Sequence, residues 1–253
     1  MRKIAFINEK GGSGKTTLTL NVGASLAGKG ARVLILDMDP QGHIGKSLGL
    51  DVARIWPTVT DLLLDPGVKI EETARPTDIP NLWITPSNKL LTDFPVNVSS
   101  DPERHLRLQQ KVNNAYGFDF ILIDSPPSIG LSTVNILMAV EEVVIPVSLT
   151  YLALDGCVEI IDTVETMRRN FNHTSLHVSL VVGTFYRNND LVNSILRKLR
   201  SHFGSRMART VIEYDMKLDQ AQSFGKSIFD FAPNSMGARQ MATVAEEVRD
   251  ANG

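Results

Sequence analysis

A glycine-rich loop near the N-terminus limits the folds that this sequence can adopt. It reads NEKGGSGKTTLTLN over residues 8–21, after the apolar run KIAFI at 3–7 and before a helical pattern with Leu18, Val22 and Leu26 on one face. A glycine loop between a strand and a helix presents backbone N–H groups and a helix N-terminus to an anion. The stretch therefore predicts a phosphate-binding loop within an α/β fold. A glycine turn with chance lysines is the alternative, but the flanking strand and helix favour nucleotide binding.

Three residues at the end of the loop have separate predicted roles in binding a nucleoside triphosphate. Lys15 would reach the β- and γ-phosphates as a point charge. The Thr16 hydroxyl would ligate Mg²⁺, and Thr17 would donate a hydrogen bond to the α-phosphate. The residues predicted to form the backbone cradle are Gly11, Gly12, Ser13 and Gly14.

The loop also departs from the general pattern G-x-x-x-x-G-K-[ST]. Glu9 occupies the position of the first glycine, six residues before Lys15, and a second lysine follows at Lys10. Because one lysine is enough to hold a phosphate, Lys10 requires a separate explanation.

Further β-branched runs alternate with helical-length segments along the chain. This alternation indicates βαβ units and a mostly parallel central β-sheet with helices on both faces. With 253 residues, 43% of them hydrophobic, the chain can bury a sizeable core, and we predict one domain over 1–253. In the less regular part around 51–115, we predict a helix capped by Asp101 and ended by Gly117. The runs are RVLILD at 32–37, FDFILID at 118–124, EVVIPV at 142–147 and HVSLVVGTF at 177–185.

Aspartates at the ends of two predicted strands are candidates for supporting the metal ion. Asp124 ends FILID and precedes two prolines, which stop the strand and leave the carboxylate at its end. Asp37 and Asp39 end VLILDMD, and we expect the pleat to send their side chains to opposite faces. Asp39, nearer the loop, is the predicted site residue, whereas capping of a turn is an equal alternative for Asp37.

Composition excludes several other functional classes. The net charge of −2 argues against a general polyanion binder, although a local basic patch remains compatible with it. The single cysteine, Cys157, excludes an internal disulfide and a Cys-ligated zinc or iron–sulfur site within one chain. The apolar run at 4–7 is too short for a signal sequence or a membrane span, so we expect a cytoplasmic protein that does not use a membrane.

KGGSGKTT, DMDPQG and FILIDSPPSIG, in this order and spacing, closely resemble motifs of the ParA/MinD family of deviant Walker-type P-loop ATPases. The closest resemblance is to the ParA/Soj-like branch, which partitions chromosomes and plasmids. The stretches VVIPVSLTYLALDG and GKSIFDF extend the resemblance over most of the chain. In that family, ATP brings two subunits face to face, and a signature lysine of each reaches the phosphates held by the other. Lys10 matches this signature lysine.

The resemblance implies an ATPase that forms a homodimer when ATP is bound. Lys10, Lys15 and Asp39 would be the catalytic residues, with Asp39 orienting the attacking water. Thr16, Asp39 and Asp124 would hold or support Mg²⁺. Hydrolysis would stay slow until a ParB-like or other cargo adaptor stimulates it.

Other branches of the family, and GTP as the nucleotide, fit the sequence less well. The C-terminal residues MATVAEEVRDANG are acidic and polar, unlike the basic amphipathic membrane helix of MinD-like members. One cysteine and no tyrosine-rich tail disfavour iron–sulfur reductases and bacterial tyrosine kinases. Asn88-Lys89 is not followed by the aspartate of an N-K-x-D motif, so ATP is preferred to GTP.

A basic segment in the C-terminal half is the predicted DNA-binding surface. Seven basic residues stand against three acidic ones between residues 187 and 217. Three of the seven lie on the predicted helix DLVNSILRKLRSHF, whose apolar side we assign to Leu191, Ile195, Leu196 and Leu199. A solvated helix face explains the charge equally well. The resemblance, however, favours binding to nonspecific DNA, with the protein associated with the nucleoid when ATP is bound. The seven are Arg187, Arg197, Lys198, Arg200, Arg206, Arg209 and Lys217.

The sequence also departs from the family it resembles. The family segment R-x-x-x-L-S-E-A-P-S-x-G-K-P appears here as YDMKLDQAQSFGKS, and His43 replaces a frequent asparagine. The predicted function is ATP-driven partition or positioning of a chromosome, plasmid or other cargo. Two alternatives are an ATP-dependent dimeric regulator of another protein without DNA binding, and a metabolic ATPase coupled to ligation or reduction.

Overall fold

The computed structural model describes residues 1–150 and 153–251, with the side chains of 153–155 excepted. Tyr151 and Leu152 of the stretch VVIPVSLTYLALDG therefore lie outside the described residues. Seven strands form one sheet in the order β3-β4-β2-β5-β1-β6-β7, in which every neighbouring pair is parallel except β3 and β4. The strands are β1 (Arg2–Phe6), β2 (Val33–Asp37), β3 (Arg75–Pro76), β4 (Leu82–Thr85), β5 (Phe120–Asp124), β6 (Glu142–Ser148) and β7 (His177–Thr184).

Helices connect the parallel strands, because a parallel pair cannot be joined by a tight turn. They are α1 (Lys15–Gly28), α2 (His43–Ser47), α3 (Val59–Leu64), α4 (Ile70–Thr73), α5 (Phe94–Asn97), α6 (Arg107–Asn113), α7 (Leu131–Ala139), α8 (Ala153–Asn170), α9 (Asp190–Phe203), α10 (Met216–Ser223), α11 (Ile228–Phe231) and α12 (Met236–Asp250). Short 3-10 helices span Lys89–Asp93 and Gly204–Arg206.

Helices cover both faces of the sheet, and side-chain alternation along the strands creates two hydrophobic cores. In β1, Ile4 and Phe6 enter one core, whereas Ala5 enters the other. The first core is shared with α1, α2 and α10 to α12, and the second with α3 to α9. The predicted fold class, a mostly parallel sheet with helices on both faces, is confirmed.

Helix α1 is buried around most of its circumference, which fixes the loop that precedes it. One side packs against the sheet and another against α12. At Gly23, a β-carbon would come within 2.9 Å of the Ile35 side chain, so helix and sheet approach closely there. The rigid contact holds the N-terminus of α1 at a constant position relative to the strand ends.

The five strands predicted from β-branched runs are all present, but other local predictions were wrong. The helix expected from Asp101 to Gly117 begins only at Arg107 and ends at Asn113, although the Asp101 carboxylate accepts from the Glu103 N–H and pairs with Arg107 at 2.8 Å. On α9, Leu191 is 58% exposed, and Val192 takes its place in the core. The short strands β3 and β4 lie in the part of the sequence that gave no clear pattern.

Candidate nucleotide-binding site

The predicted phosphate loop connects β1 to α1 and borders a cavity of about 610 Å³ at the carboxyl ends of the strands. Ligands bind at this edge in parallel α/β sheets because loops and helix N-termini converge there. Besides residues 11–17 of the loop, the cavity is lined by Asp39, His43, Lys46, Ser47, Pro127, Phe185, Asp219, Gln222 and Ser223.

The backbone of the loop requires glycine at two positions. Gly12 and Gly14 have φ values of 69° and 87°, in the left-handed region that favours glycine. Gly14 caps α1, and a β-carbon there would lie 3.5 Å from the Thr184 methyl group. Thr184 also donates from its hydroxyl to the Ser13 carbonyl at 2.8 Å, which ties the loop to the end of β7.

The loop leaves polar groups ready for an anion. Within the described part of the chain, the N–H groups of Gly12, Ser13 and Gly14 donate to no other protein atom, and the buried Ser13 hydroxyl has no partner. Buried polar groups without partners are rare in proteins unless a ligand or water satisfies them. This arrangement fits a phosphate group, as predicted for Gly11 to Gly14.

Lys15 supplies a positive charge within the cavity. Lys15 is only 6% exposed, and this burial lowers the pKa of its ammonium group. The negative charges of Asp124 and Asp39 raise the same pKa, but by less. A buried lysine between a cavity and two carboxylates is well placed to bind a polyanionic ligand. The structure thus brings Lys15, Asp39 and Asp124 together, as the sequence predicted.

Asp124 and Thr16 form the part of the site that fits a magnesium ion. Asp124 is fully buried at the end of β5 and accepts hydrogen bonds from the hydroxyls of Thr16 at 2.7 Å and Thr19 at 3.2 Å. Hydroxyl and carboxylate oxygens suit Mg²⁺, which is usually bound through few protein groups together with phosphates and water. Among the described residues, no group of three or more His, Cys, Asp or Glu side chains is arranged so that it could hold a metal ion by itself. The donor set therefore fits a magnesium ion that the nucleotide helps to hold.

Asp37 and Asp39 have different environments. The fully buried Asp37 carboxylate accepts from the N–H groups of Asp39 and Ile44, so it stabilises the turn and the start of α2. Asp39 lines the cavity. The expected reason for their separation was wrong, because residues two apart share a face of a strand and β2 ends at Asp37. Asp39 reaches the cavity because it lies in the turn beyond the strand.

Because Asp124 is buried, we predict that the stability of the folded protein depends on pH. Burial raises its pKa to about 7, so the folded protein binds more protons than the unfolded chain between about pH 4 and pH 7. The free energy of unfolding of the nucleotide-free protein is expected to fall as pH rises through this window, by on the order of 3 kcal/mol from this group.

Urea unfolding of the wild type and Asp124→Asn at several pH values from 5 to 8 measures this dependence. The substitution should reduce the decline, because asparagine does not ionise, while the buried Asp37 carboxylate, whose pKa burial also raises, keeps part of it. Asp219→Asn, at an exposed carboxylate of the same cavity, should leave the decline unchanged. Equal slopes in the wild type and Asp124→Asn would contradict the prediction.

Lys10 lies outside the cavity that Lys15 enters. Its ammonium group donates to the Thr150 hydroxyl at 2.7 Å, and it is not among the cavity-lining residues. In this structure Lys10 is thus engaged outside the cavity and not with the residues that line it. The placement agrees with the predicted role in a second subunit, which stays a prediction.

The C-terminal segment forms a wall of the cavity that the sequence analysis did not assign. Asp219, Gln222 and Ser223 of α10 face the cavity, and the Gln222 amide donates to the Thr17 hydroxyl at 2.7 Å. Phe185, which directly follows the end of β7, also lines the cavity and lies close to Gly14. The resemblance of YDMKLDQAQSFGKS to a family segment was the available signal for this wall.

Helices α2 and α10 are in contact at the edge of the cavity. Gly49 follows α2, Gly225 follows α10, and a β-carbon at Gly225 would come within 3.0 Å of the Gly49 backbone. Both glycines have positive φ. His43 and Lys46, one turn apart on α2, line the cavity beside this contact.

The predicted DNA-binding residues are exposed but do not lie on one helix or one face of the sheet. Arg197, Lys198 and Arg200 are on α9, which packs on the second core, whereas Lys217 is on α10, which packs on the first. None of the seven forms a salt bridge with a described residue. Arg187 stacks on the Tyr214 ring at 4.4 Å. Arg206 and Arg209 lie on the segment beside the edge strand β7.

Comparisons with known proteins place these features in a family. Residues 1–178 match the family described as an AAA domain. The sporulation initiation inhibitor protein Soj of Bacillus subtilis is 34% identical over 99% of this chain and 98% of its own length. The chromosome-partitioning ATPase Soj of Treponema pallidum is 36% identical, covering 98% and 96% of the two chains.

The fold is also found in solved structures. Cobyrinic acid a,c-diamide synthase from Mycobacterium smegmatis, crystallised with ADP and magnesium, superposes with a TM-score of 0.83 at 26% identity. The superposition covers 97% of this chain and 93% of the other. Within the described residues, no helix is long and apolar enough to cross a membrane.

Proposed function

Because the chain belongs to the ParA/Soj branch of the ParA/MinD family of deviant Walker-type P-loop ATPases, we propose that its ATPase cycle drives partition or positioning of cargo on DNA. The chain is an ATPase that uses ATP and Mg²⁺. In the proposed cycle, ATP closes a homodimer, the dimer binds nonspecific DNA, and a ParB-like or other cargo adaptor stimulates hydrolysis and release. The cargo is a chromosome, a plasmid or another large assembly.

The observation that carries this proposal is the separation of the two lysines. Lys15 is buried in the cavity, whereas Lys10 lies outside it and binds the Thr150 hydroxyl. A lysine that cannot serve its own nucleotide can serve that of a second subunit. It would then neutralise triphosphate charge only in the dimer, so dimer formation would depend on ATP.

Other residues of the cavity have distinct tasks in the proposed reaction. Loop N–H groups and Lys15 would hold the phosphates, and the Asp39 carboxylate would orient the attacking water. Thr16, supported by Asp124, would hold the magnesium ion, which would supply positive charge to neutralise the phosphates. Because charge stabilisation is incomplete until Lys10 arrives from the partner, the isolated subunit would hydrolyse ATP slowly.

Seven exposed basic residues between positions 187 and 217 support the DNA step. Binding through phosphates neutralises several charges at once and weakens as salt concentration rises. Two copies of this surface in a dimer would increase the number of phosphate contacts.

The second candidate is an ATP-dependent regulator of another protein without DNA binding. The departures in YDMKLDQAQSFGKS and the distribution of the basic residues over two faces favour it.

DNA binding measured against salt concentration separates these candidates. With ATP, or with an Asp39→Ala variant that retains ATP, the protein should dimerise and bind DNA without sequence preference. With ADP, the protein should neither dimerise nor bind DNA. Arg197→Glu together with Arg200→Glu is expected to weaken binding at least tenfold and to reduce the salt slope, since phosphate contacts are lost.

A matched control for this experiment is Lys69→Glu with Arg169→Glu. It changes the net charge equally at exposed positions outside the predicted surface, so DNA binding should stay close to that of the wild type. Dimerisation with ATP but no DNA binding at low salt would exclude the DNA step and favour the regulator. Absence of nucleotide binding would contradict the whole proposal.

A further inference from the structure

The side wall of the cavity contacts a residue of the phosphate loop directly. Thr17 is the third residue of α1, and its side chain borders the cavity. The Gln222 Nε2 atom donates to the Thr17 Oγ1 atom at 2.7 Å, across 205 residues of sequence. This is the hydroxyl predicted to donate to the α-phosphate.

We propose that Gln222 is a positioning residue that sets the direction of the Thr17 hydroxyl hydrogen for phosphate binding. A threonine hydroxyl carries one hydrogen and can also accept hydrogen bonds. The amide nitrogen of Gln222 can only donate. Thr17 must therefore act as the acceptor in this pair, and its own hydrogen stays available for an oxygen in the cavity.

Neighbouring contacts hold Gln222 in place for this task. The Asp215 carboxylate caps α10 through the Lys217 N–H and also accepts from the N–H of Gly237 on α12. Beyond α10, the Ile228 N–H donates to Asn21 of α1 at 2.9 Å. Because both ends of the segment are anchored, the Gln222 hydrogen bond can form without the conformational-entropy cost of ordering a flexible segment.

This position also differs from the family pattern. In R-x-x-x-L-S-E-A-P-S-x-G-K-P, the proline before the second serine corresponds to Gln222 in YDMKLDQAQSFGKS. A proline side chain has no polar atom and cannot bond to Thr17. The contact is thus a property of this chain and not of the general motif.

The proposed effect concerns nucleotide binding rather than the chemical step. A hydrogen bond to the α-phosphate is present in ATP, in ADP and during hydrolysis, so it stabilises all three to a similar degree. Loss of Gln222 should raise KM and Kd while kcat changes little. This inference rests on the proposed function, since it needs a nucleotide in the cavity.

A double-mutant cycle on ADP binding tests the inference. Gln222→Ala is expected to weaken ADP binding by about three- to tenfold, the effect of one hydrogen bond. In a Thr17→Val background, where the hydroxyl is absent, Gln222→Ala should cause no further loss. Gln222→Glu should weaken ADP binding at least as much, because a carboxylate accepts the Thr17 hydrogen and repels phosphate.

Gln220→Ala is a matched control, since it removes a glutamine side chain from the same helix. Gln220 is exposed and does not line the cavity. ADP affinity of this variant should equal that of the wild type. An equal loss from Gln222→Ala in both backgrounds, or no loss in either, would overturn the inference. If wild-type protein failed to bind ADP, the proposed function itself would fail, which is a distinguishable result.

Discussion

Alanine substitution of the two loop lysines is expected to separate nucleotide binding from dimerisation. Lys15→Ala should weaken binding of ATP and ADP at least a hundredfold, because it removes a buried charge that faces the phosphates. Lys10→Ala should leave binding by the monomer within a few-fold of the wild type, since Lys10 lies outside its own cavity. The ATP-dependent dimer should be lost in both variants.

Titration calorimetry with ADP and light scattering with ATP measure the two steps separately. Lys29→Ala is a suitable control, because Lys29 lies at the far end of α1, where its ion pair with Glu246 is exposed to solvent. Strong loss of ADP binding by Lys10→Ala would place this lysine in its own site. An ATP-dependent dimer of normal stability in Lys10→Ala would remove the proposed contact between subunits.

Asp39→Asn is expected to slow ATP hydrolysis by about a hundredfold or more while ATP remains bound. The Asp39 carboxylate lines the cavity, and a group that positions the attacking water contributes to the reaction rather than to binding. Asparagine retains an oxygen that can accept from the Gln41 N–H, a bond of 2.9 Å in the wild type. The turn should therefore survive, and the loss can be assigned to the charge.

Single-turnover hydrolysis and ATP affinity of the same preparation give this comparison. Asp219→Asn removes an exposed carboxylate from the same cavity and should leave the rate within about twofold, since no role in orienting water is proposed for it. Loss of ATP binding in Asp39→Asn would assign this residue to binding. An unchanged rate would exclude it from the reaction.

Sequence patterns predicted the positions of elements and side chains correctly where the pattern is local, whereas the roles assigned to the site residues stay predictions. The loop, Lys15, Thr16 and the five β-branched strands are local patterns, and Asp124 could be predicted because it ends a strand next to prolines. The same local reading failed at β3, which has two residues and no periodicity. It also failed at Leu191, because a one-residue shift in helix phase decided whether leucine or valine is buried.

The wall of the cavity could not be predicted from local patterns. Gln222 reaches Thr17 only because α10 folds back against α1, and the sequence does not specify that contact. The family resemblance covered this segment, but its altered residues gave no local signal for a contact with the phosphate loop. Asp39 was predicted for a wrong reason, since its position depends on the turn after β2 and not on strand alternation.

The close contact between Gly49 and Gly225 restricts how this sequence can diverge. A β-carbon on Gly225 would meet the Gly49 backbone at 3.0 Å, whereas a β-carbon on Gly49 would lie 3.8 Å from Gly225, in ordinary contact. Both residues also have left-handed φ values, which other residues rarely adopt. Substitutions in the turn after α2 and in the turn after α10 are therefore not independent, although 176 residues separate the two glycines. Homologues that carry larger residues at one position should show compensating changes at the other, so the two turns should vary together.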